Sequence, residues 1–251
     1  MHRLNTELKQ HMRTLRISEA ANILDNLLME AEKQNLTYQE FLDKLLKHEV
    51  RKRDERSIEK RLRQAAFPEH KTLDEFDIAK QKSLSKKQLK QLRELQWLEQ
   101  AYNIILLGPP GVGKTFIAIG LGLDAVYSGY KVSFITSGDL LHVLKTQEIT
   151  RSSKTKLKRI IASDLVIIDD LMFLAMDRHE GNLFFQLINK LYDQSSVIVT
   201  SNKGPEDWAE LLGDQAIATA ILDRLIHRCE IISFSGDSYR MTYRETIFGR
   251  N

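Results

Sequence analysis

The segment NIILLGPPGVGKT, residues 103–115, constrains this chain more than any other feature. An apolar run from Ile104 to Leu107 leads into a glycine-rich turn, and the turn leads into an apolar stretch, 116–125, that is compatible with a helix. The spacing matches G-x-x-x-x-G-K-[ST] without a gap, which predicts a buried strand, a phosphate loop and a helix in that order. An ordinary glycine-rich turn needs neither the strand before it nor the helix after it.

Each part of this loop can contact a nucleotide. The glycines let consecutive backbone N–H groups turn toward a phosphate, and the N-terminus of the following helix adds the positive end of its dipole. Lys114 can reach the β and γ phosphates, and Thr115 can hold Mg²⁺. We therefore expect a nucleotide site formed by Gly108, Pro109, Pro110, Gly111, Val112, Gly113, Lys114, Thr115 and Phe116.

A second motif, DLVIIDD at residues 164–170, places two acids after a run of apolar residues. Ligands of open α/β sheets gather at the carboxyl ends of the strands, so Asp169 is expected to hold the Mg²⁺ that Thr115 contacts. Asp170 is expected to orient or deprotonate the attacking water. Two solvated acids at the end of a strand are the alternative, and the phosphate loop upstream favours the magnesium site.

A third strand pattern, VIVT, ends at Thr200 and is followed by Ser201 and Asn202. Asn202 can hydrogen-bond the γ-phosphate or the attacking water from the neighbouring strand. A simple turn is the alternative for this dipeptide. Its place in a series of strand-end polar groups favours the catalytic role.

From residue 103 onward, apolar strand patterns alternate with helical ones, which predicts an α/β fold with a parallel sheet covered by helices on both faces. Each predicted strand is short and rich in Val, Ile or Leu, as expected of a strand that is buried on both sides. The five predicted strands are Ile104 to Leu107, Lys131 to Thr136, Leu165 to Asp169, Ser196 to Thr200 and Glu230 to Phe234.

The first part of the chain predicts helices instead. Ser18 is a candidate N-cap, and Thr37 with Glu40 matches a capping box that opens a long helix ending near Ala66. Ser85 with Gln88 repeats the pattern and predicts one helix through Leu89, Leu92, Leu95 and Leu98. We expect a helical N-terminal domain, residues 1–66, for oligomerisation, partner or DNA contacts, and an ATPase domain, residues 67–251.

Composition excludes several classes. The apolar share of 42% suits a globular protein, no apolar run approaches the ~20 residues of a membrane span, and the N-terminus lacks the apolar region of a signal peptide. We therefore expect a cytoplasmic protein without a membrane partner. The single cysteine, Cys229, cannot form an internal disulfide and is interpreted as a small core residue rather than a catalytic thiol.

Taken together, GPPGVGKT, IIDD and TSN resemble the motifs of AAA+ ATPases of the P-loop NTPase class. KTLDEFD at residues 71–77, TAILDRLIHRCEII at 219–232 and GDSYR at 236–240 extend this resemblance to the IstB family of insertion-sequence helper ATPases and to the related DnaC helicase loader. The resemblance covers roughly residues 67 to 245, and less diagnostically the helical N-terminal part.

This resemblance assigns two arginines. Arg224 in LDRL is implied to be the arginine finger, supplied to the ATP of a neighbouring subunit; a helix-surface ion pair with Asp223 or Glu230 is the alternative. Arg240 resembles an arginine that senses the γ-phosphate. Only about a dozen residues follow Arg240, so we expect no C-terminal helical lid, and Asp170 stands where many AAA+ members have Glu.

Base preference and charge indicate the partners. The guanine-reading pattern N-K-x-D has only a near-match at Asn202, with Pro205 at the position of the Asp, which favours ATP over GTP. The net charge of +3 is clustered, and clustered Lys and Arg bind nucleic-acid phosphates without sequence preference. One group follows the second strand, where helices of the resembling loaders and initiators face DNA. The resemblance therefore implies that this group contacts duplex DNA: Lys145, Arg151, Lys154, Lys156, Lys158 and Arg159. Two further groups, within residues 51–63 and 80–93, are equally compatible with a solvated surface.

The leading hypothesis is an ATP- and Mg²⁺-dependent AAA+ factor that assists its transposase, with ATP at the interfaces of a homo-oligomer on DNA. The transposition role follows from the resemblance, whereas the residues themselves indicate Mg-ATP and a basic surface. A DnaC-type loader of a replicative helicase is the alternative within the class. A small-molecule kinase with the same phosphate loop and a switch that binds ATP and hardly hydrolyses it are two further alternatives.

Overall fold

The computed structural model describes residues 2–78, 81, 83–171, 175–208, 212 and 214–242, and the backbone alone at 2, 3, 240 and 242. The chain divides into two compact units, Met1–Lys60 and Arg61–Asn251. The long third helix contributes its residues up to Lys60 to the first unit and the remainder to the second. The predicted boundary after residue 66, with the roles assigned to each domain, stays a prediction.

Helices α1 (His2–Thr14) and α2 (Ser18–Gln34), with the first part of α3 (Tyr38–Ala65), form the N-terminal unit. Its small apolar core consists of Ala20, Leu24, Leu27 and Leu45. The predicted capping box at the start of α3 is confirmed, because the Thr37 N–H donates to Glu40 Oε2 at 2.8 Å and the Glu40 N–H donates to Thr37 Oγ1 at 3.3 Å. Ser18 as N-cap is wrong: Ser18 is the first helical residue, and Ile17 caps α2 without a side-chain bond.

A buried carboxylate links α2 to α3 in this unit. Glu49 is 4% exposed, and it accepts hydrogen bonds from the Ala20 N–H at 2.9 Å and from Arg53 Nε at 2.8 Å. Burial alone would raise the pKa of the Glu49 carboxyl, but these hydrogen bonds outweigh it, so the pKa is lowered. The native unit therefore holds Glu49 charged.

The segment before the sheet packs onto the second unit as separate short elements. Leu73 in a 3₁₀ turn, Leu73–Glu75, is buried against the helix that follows the phosphate loop, α6 (Lys114–Tyr127). The predicted capping box of Ser85 and Gln88 is confirmed at the start of α4 (Lys86–Arg93). The single helix predicted here is wrong, because Leu95 has a φ of 59° and separates α4 from α5 (Gln96–Glu99). The break still lets Leu95 and Leu98 reach the core.

A five-stranded, all-parallel sheet in the order β2-β3-β4-β1-β5 forms the centre of the second unit. The predicted strands are confirmed with ends that differ by one or two residues: β1 (Asn103–Leu107), β2 (Val132–Thr136), β3 (Leu165–Leu171), β4 (Ser196–Ser201) and β5 (Cys229–Ser233). The helices around them are α6 (Lys114–Tyr127), α7 (Ser137–Thr146), α8 (Arg151–Ile161), α9 (Arg178–Leu191), α10 (Gln215–Ile226) and α11 (Tyr239–Thr242), with a 3₁₀ turn at Pro205–Asp207.

The two faces of the sheet bury separate apolar clusters, which is why the strands are apolar at successive positions. Ile105 and Ile168 point into one cluster, with Phe184 of α9 and Leu140 of α7. The other cluster contains Ile104, Leu106 and Ile167 of the strands with Ile117, Leu121 and Ala125 of α6. This alternation is the period of two that a strand imposes, applied to a sheet covered on both sides. The predicted α/β class is confirmed.

Across the described ranges, no helix is long and apolar enough to span a membrane. Residues 243–251 lie outside the described part of the chain, and the expectation that no lid follows the sheet stays a prediction.

Candidate nucleotide-binding site

The phosphate loop follows β1, which lies between β4 and β5, and ends at the N-terminus of α6. Gly108, Gly111 and Gly113 have φ angles of 142°, 85° and 100°, which favour glycine. Gly108 and Gly111 also leave no space for a side chain. A Cβ on Gly108 would be 2.3 Å from the Phe234 carbonyl oxygen, and one on Gly111 would be 2.1 Å from Ser238 Oγ. Glycine is therefore required here for space as well as for conformation.

Lys114 is held inside the loop that precedes it. The residue is 6% exposed, and its Nζ donates to the Gly108 carbonyl at 2.7 Å and to the Pro109 carbonyl at 2.9 Å. These two backbone carbonyls hold the ammonium within the loop. This arrangement concentrates positive charge within the loop, which suits an anion such as a nucleotide phosphate.

Thr115 and Asp169, predicted to hold Mg²⁺, are in direct contact. Thr115 Oγ1 donates to Asp169 Oδ1 at 2.9 Å, which leaves the lone pairs of the hydroxyl oxygen as acceptors for a cation. Asp169 is 6% exposed, and its burial raises the pKa of the carboxyl, against the hydrogen bonds that lower it. A hydroxyl and a carboxylate are the hard oxygen ligands that Mg²⁺ prefers, so these residues fit the ion.

Asp170 lies in a β-bulge at the end of β3. Ile168 pairs with Val199 and Leu171 pairs with Ser201, so Asp169 and Asp170 together oppose the single residue Thr200 of β4. Asp170 has a φ of 54°, a conformation that costs on the order of 1 kcal/mol unless neighbours enforce it. Its side chain is exposed. A bulge next to an active site changes the direction of a side chain, which allows two consecutive acids to serve one site.

Thr200 connects the two acids and was not identified from the sequence. It is fully buried, its hydroxyl donates to Asp169 Oδ1 at 2.7 Å, and it accepts from the Asp170 N–H at 2.9 Å. Ser137, the first residue of α7, donates to the Asp170 carbonyl at 2.8 Å. The only sequence signal for Thr200 is its position at the end of a strand that neighbours the acidic one.

Asn202 follows β4 at the same edge of the sheet. Ser201, directly before it, pairs with Leu107 of β1 and with Leu171 of β3, so Asn202 comes between the end of the phosphate-loop strand and the end of the acidic strand. Its side chain is exposed. The structure thus places Asn202 at the edge where the predicted γ-phosphate contact requires it.

Two segments far from the loop in sequence also contact it, through residues that the sequence analysis did not identify. The Tyr239 N–H donates to the Gly111 carbonyl at 3.0 Å, and Gln81 Nε2 donates to the Val112 carbonyl at 3.1 Å. The rings of Phe76 and Phe116 are 5.3 Å apart between centroids. The Arg240 side chain, a predicted γ-phosphate sensor, lies outside the described residues.

Arg224 lies on α10, away from the phosphate loop of its own chain. It borders a small cavity together with Asn103, at the start of β1, and Ser195, just before β4, which puts it near the amino ends of the strands. Its Nε donates to Asn189 Oδ1 at 3.0 Å, and its guanidinium lies 4.9 Å from the centroid of the Phe185 ring. The structure therefore does not bring Arg224 together with Lys114 within one chain.

The predicted DNA-contacting residues fall into different environments. Arg151, Lys154 and Lys158 are exposed at an i, i+3, i+7 spacing, which places them on one face of α8. Lys156 and Arg159 are half-buried. Lys145 on α7 instead pairs with Glu180 at 2.8 Å, and this contact raises the pKa of the lysine.

Neither cysteine chemistry nor a multi-ligand metal centre has support. Burial raises the pKa of the Cys229 thiol to about 12, so the reactive thiolate is scarce at neutral pH. Among the residues that the structure describes, no group of three or more His, Cys, Asp or Glu side chains could hold a metal ion. A magnesium ion held by Thr115 and Asp169 needs no such group, because Mg²⁺ in nucleotide sites takes its other ligands from phosphates and water.

Comparisons with known proteins identify a family of ATP-binding proteins. The model of the family described as IstB-like ATP binding protein matches residues 10–246. A protein of Bacteroides fragilis, named as an ATP-binding protein of an IS21-like insertion sequence, is 40% identical over 96% of this chain and 92% of its own length. A Pseudomonas aeruginosa protein, named as an ATP-binding protein of the insertion sequence IS21, is 40% identical over 94% of this chain and 89% of its own length.

Solved structures show the same fold at low sequence identity. The AMPPCP-bound DnaA from Aquifex aeolicus superposes with a TM-score of 0.54 at 22% identity, covering 68% of this chain and 51% of that one. DnaI superposes with a TM-score of 0.54 at 18% identity, covering 68% of this chain and 90% of that one. These similarities show that the chain shares its α/β fold with these proteins.

Proposed function

Because this chain belongs to the IstB-like ATP-binding protein family, we propose that it is a magnesium-dependent ATPase that binds duplex DNA and assists its transposase in DNA transposition. ATP bound at subunit interfaces drives oligomerisation on DNA, and hydrolysis resets the assembly. The N-terminal domain, proposed as residues 1–66, supplies oligomerisation, partner or DNA contacts.

The hydrogen-bonded group of Thr115, Asp169, Thr200 and Asp170 is the observation that carries the ATPase proposal. Bound magnesium and ATP supply a polarised γ-phosphoryl group that water can attack. Thr115 and Asp169 hold the ion, and Lys114 neutralises charge on the phosphates. Asp170 takes up the proton of the attacking water, and Asn202 orients that water or the γ-phosphate.

The position of Arg224 supports an active site shared between two subunits. Its guanidinium lies toward the amino ends of the strands, whereas the phosphate loop and the acids lie at the carboxyl ends. An arginine so placed can reach a nucleotide only in a neighbouring copy. A cationic fork delivered there stabilises the charge that develops on the transferring phosphoryl group.

Two observations support DNA and a transposase as partners. Relatives that match nearly the whole chain are named as ATP-binding proteins of insertion sequences. The exposed face of α8 carries Arg151, Lys154 and Lys158, a spacing that suits contacts to successive phosphates. The localisation proposed for such a protein is the cytoplasm.

The direct test measures ATP hydrolysis by the purified full-length chain with and without duplex DNA, with sizing in the presence of ATP. Arg224→Ala serves as the interface variant, and Lys190→Ala, an exposed lysine on the neighbouring helix α9, is the matched control. We expect DNA binding, ATP-dependent large assemblies, and turnover that Lys190→Ala retains and Arg224→Ala loses.

A monomer that ignores DNA and keeps full turnover without Arg224 would contradict the assembly proposal and favour the kinase alternative. If the protein instead binds DNA and assembles with ATP, a defined transposase is the partner to test. Its strand-transfer products should increase when this protein and ATP are added, and the Lys114→Ala variant should abolish that increase.

A further inference from the structure

Thr200 lies at the centre of the acidic group, yet none of the proposed catalytic steps uses it. It is 0% exposed, and both hydrogen-bonding functions of its hydroxyl are directed at the site. The proton goes to Asp169 Oδ1 at 2.7 Å, and the oxygen accepts the Asp170 N–H at 2.9 Å. A buried hydroxyl is satisfied by one such bond, so two bonds to consecutive acids call for a more specific explanation.

The backbone of Asp170 provides that explanation. Its φ of 54° is a conformation that a non-glycine residue keeps only when its surroundings enforce it. The Asp170 residue is held at both ends: Thr200 accepts its N–H, and Ser137 donates to its carbonyl at 2.8 Å. Thr200 belongs to β4, and Ser137 directly follows β2. These two strands lie on either side of β3.

These two hydrogen bonds stabilise the bulge. A regular strand would align β3 with β4 one residue at a time, and consecutive side chains would then point to opposite faces of the sheet. At the bulge, Asp169 and Asp170 both lie opposite Thr200, which changes the direction of the Asp170 side chain relative to that of Asp169. Thr200 therefore sets the spacing between the metal-binding carboxylate and the water-activating one.

We propose that Thr200 is a positioning residue of the ATPase site, whose hydroxyl fixes Asp169 and Asp170 relative to each other, with Ser137 securing the far end of Asp170. This role rests on the proposed hydrolysis of ATP. Thr200 acts on the reaction through the two carboxylates that it holds.

The test compares Thr200→Val, which keeps the shape of the side chain and removes the hydroxyl, with Thr200→Ser, which keeps the hydroxyl. Full-length variants are assayed with duplex DNA for kcat and KM over a range of Mg²⁺ concentrations, and for affinity toward a fluorescent ATP analogue. Asp170→Asn is included as the reference for loss of the base, because Asn also tolerates a left-handed backbone.

We expect Thr200→Val to lower kcat by about 10- to 100-fold, as for partners that orient a metal or catalytic ligand, while analogue affinity stays at the wild-type level. The loss persists at saturating Mg²⁺, because Asp170 is misplaced as well as Asp169. Thr200→Ser restores most of kcat. If the substitutions acted only by weakening the packing, kcat would not be higher in Thr200→Ser than in Thr200→Val.

Each contrary result has a separate meaning. Wild-type kcat in Thr200→Val beside an inactive Asp170→Asn overturns the positioning role and leaves the ATPase proposal intact. A defect that disappears at high Mg²⁺ also overturns it, because Thr200 would then act on the ion alone. Full turnover in Asp170→Asn overturns the proposed catalytic base, and the role of Thr200 with it.

If Thr200→Val does not fold, Ser137→Ala tests the positioning of Asp170 instead. The Ser137 hydroxyl donates to the Asp170 carbonyl and not to the Asp169 carboxylate. A lower kcat at unchanged analogue affinity supports the positioning of Asp170, and a wild-type kcat overturns it.

Discussion

Replacing Gly111 by Ala separates the two reasons for which the phosphate loop needs glycine. The backbone at Gly111 has a φ of 85°, and a left-handed backbone costs an alanine about 1–2 kcal/mol. A Cβ there would also be 2.1 Å from Ser238 Oγ and 2.9 Å from Ser238 Cβ. Forcing an extra carbon into a packed site adds about 1–3 kcal/mol. We therefore expect Gly111→Ala to destabilise the protein by about 2–5 kcal/mol.

Gly129 provides the matched control. Its φ is 101°, but a Cβ at this position would meet nothing within 4 Å. Gly129→Ala should therefore cost only the conformational part, about 1–2 kcal/mol. The steric part should be recovered in the double variant Gly111→Ala/Ser238→Gly, which removes the obstructing side chain and leaves the conformational cost in place.

The assay is urea denaturation of the four proteins, with ATP affinity measured by calorimetry on the same preparations. The account predicts that Gly111→Ala is clearly less stable than Gly129→Ala and that Ser238→Gly recovers the difference. Equal stability of the two single variants would refute the packing of the GDSYR segment on the phosphate loop. A double variant no better than Gly111→Ala would show that the obstruction lies elsewhere.

Three further predictions follow from the structure. Asp169→Asn should abolish the Mg²⁺-dependent part of ATP affinity in calorimetry and lower turnover by about 10²-fold or more, because it removes a charged ligand of the ion. Equal ATP affinity of the wild type with Mg²⁺ and with EDTA would contradict the ligand assignment. The pKa of Glu49 is lowered in the folded state, so its stabilising contribution is present above its unfolded pKa and is lost as the pH falls through the folded value. Thermal melts from neutral to acidic pH should therefore show a steeper loss for wild type than for Glu49→Gln, and parallel curves would contradict that. Replacing Arg151, Lys154 and Lys158 by Ala should reduce the slope of log K for duplex DNA against log salt concentration by about 0.9 for each phosphate that the protein no longer neutralises. An unchanged slope would show that DNA binds to another part of the protein.

Local patterns allowed the strands, the phosphate loop and the starts of α3 and α4 to be predicted from the sequence. The phosphate loop is encoded by glycines and a lysine within a few residues, and the five strands are apolar runs that leave few alternatives. Capping boxes at Thr37 and Ser85 were predictable for the same reason, since each requires only residues three positions apart.

Features that depend on tertiary contacts could not be predicted in this way. The break at Leu95 interrupts a regular apolar spacing so that two leucines can be buried from different directions. At the bulge, the Asp170 N–H donates to a hydroxyl 30 residues away in the chain, and the pairing of Lys145 with Glu180 spans 35 residues. Contacts of this kind become visible only when the sheet and its helices are assembled.

The central claim is that the ATP site is completed by Arg224 of a neighbouring copy. It is tested most directly by mixing two inactive variants, Arg224→Ala and Asp170→Asn, in the presence of duplex DNA and ATP. A mixed interface joins the intact acids of the first variant to the intact arginine of the second, so the account predicts that ATP hydrolysis reappears and peaks near equal amounts. Two inactive variants that stay inactive in every ratio, while sizing shows that they form mixed assemblies, would contradict it.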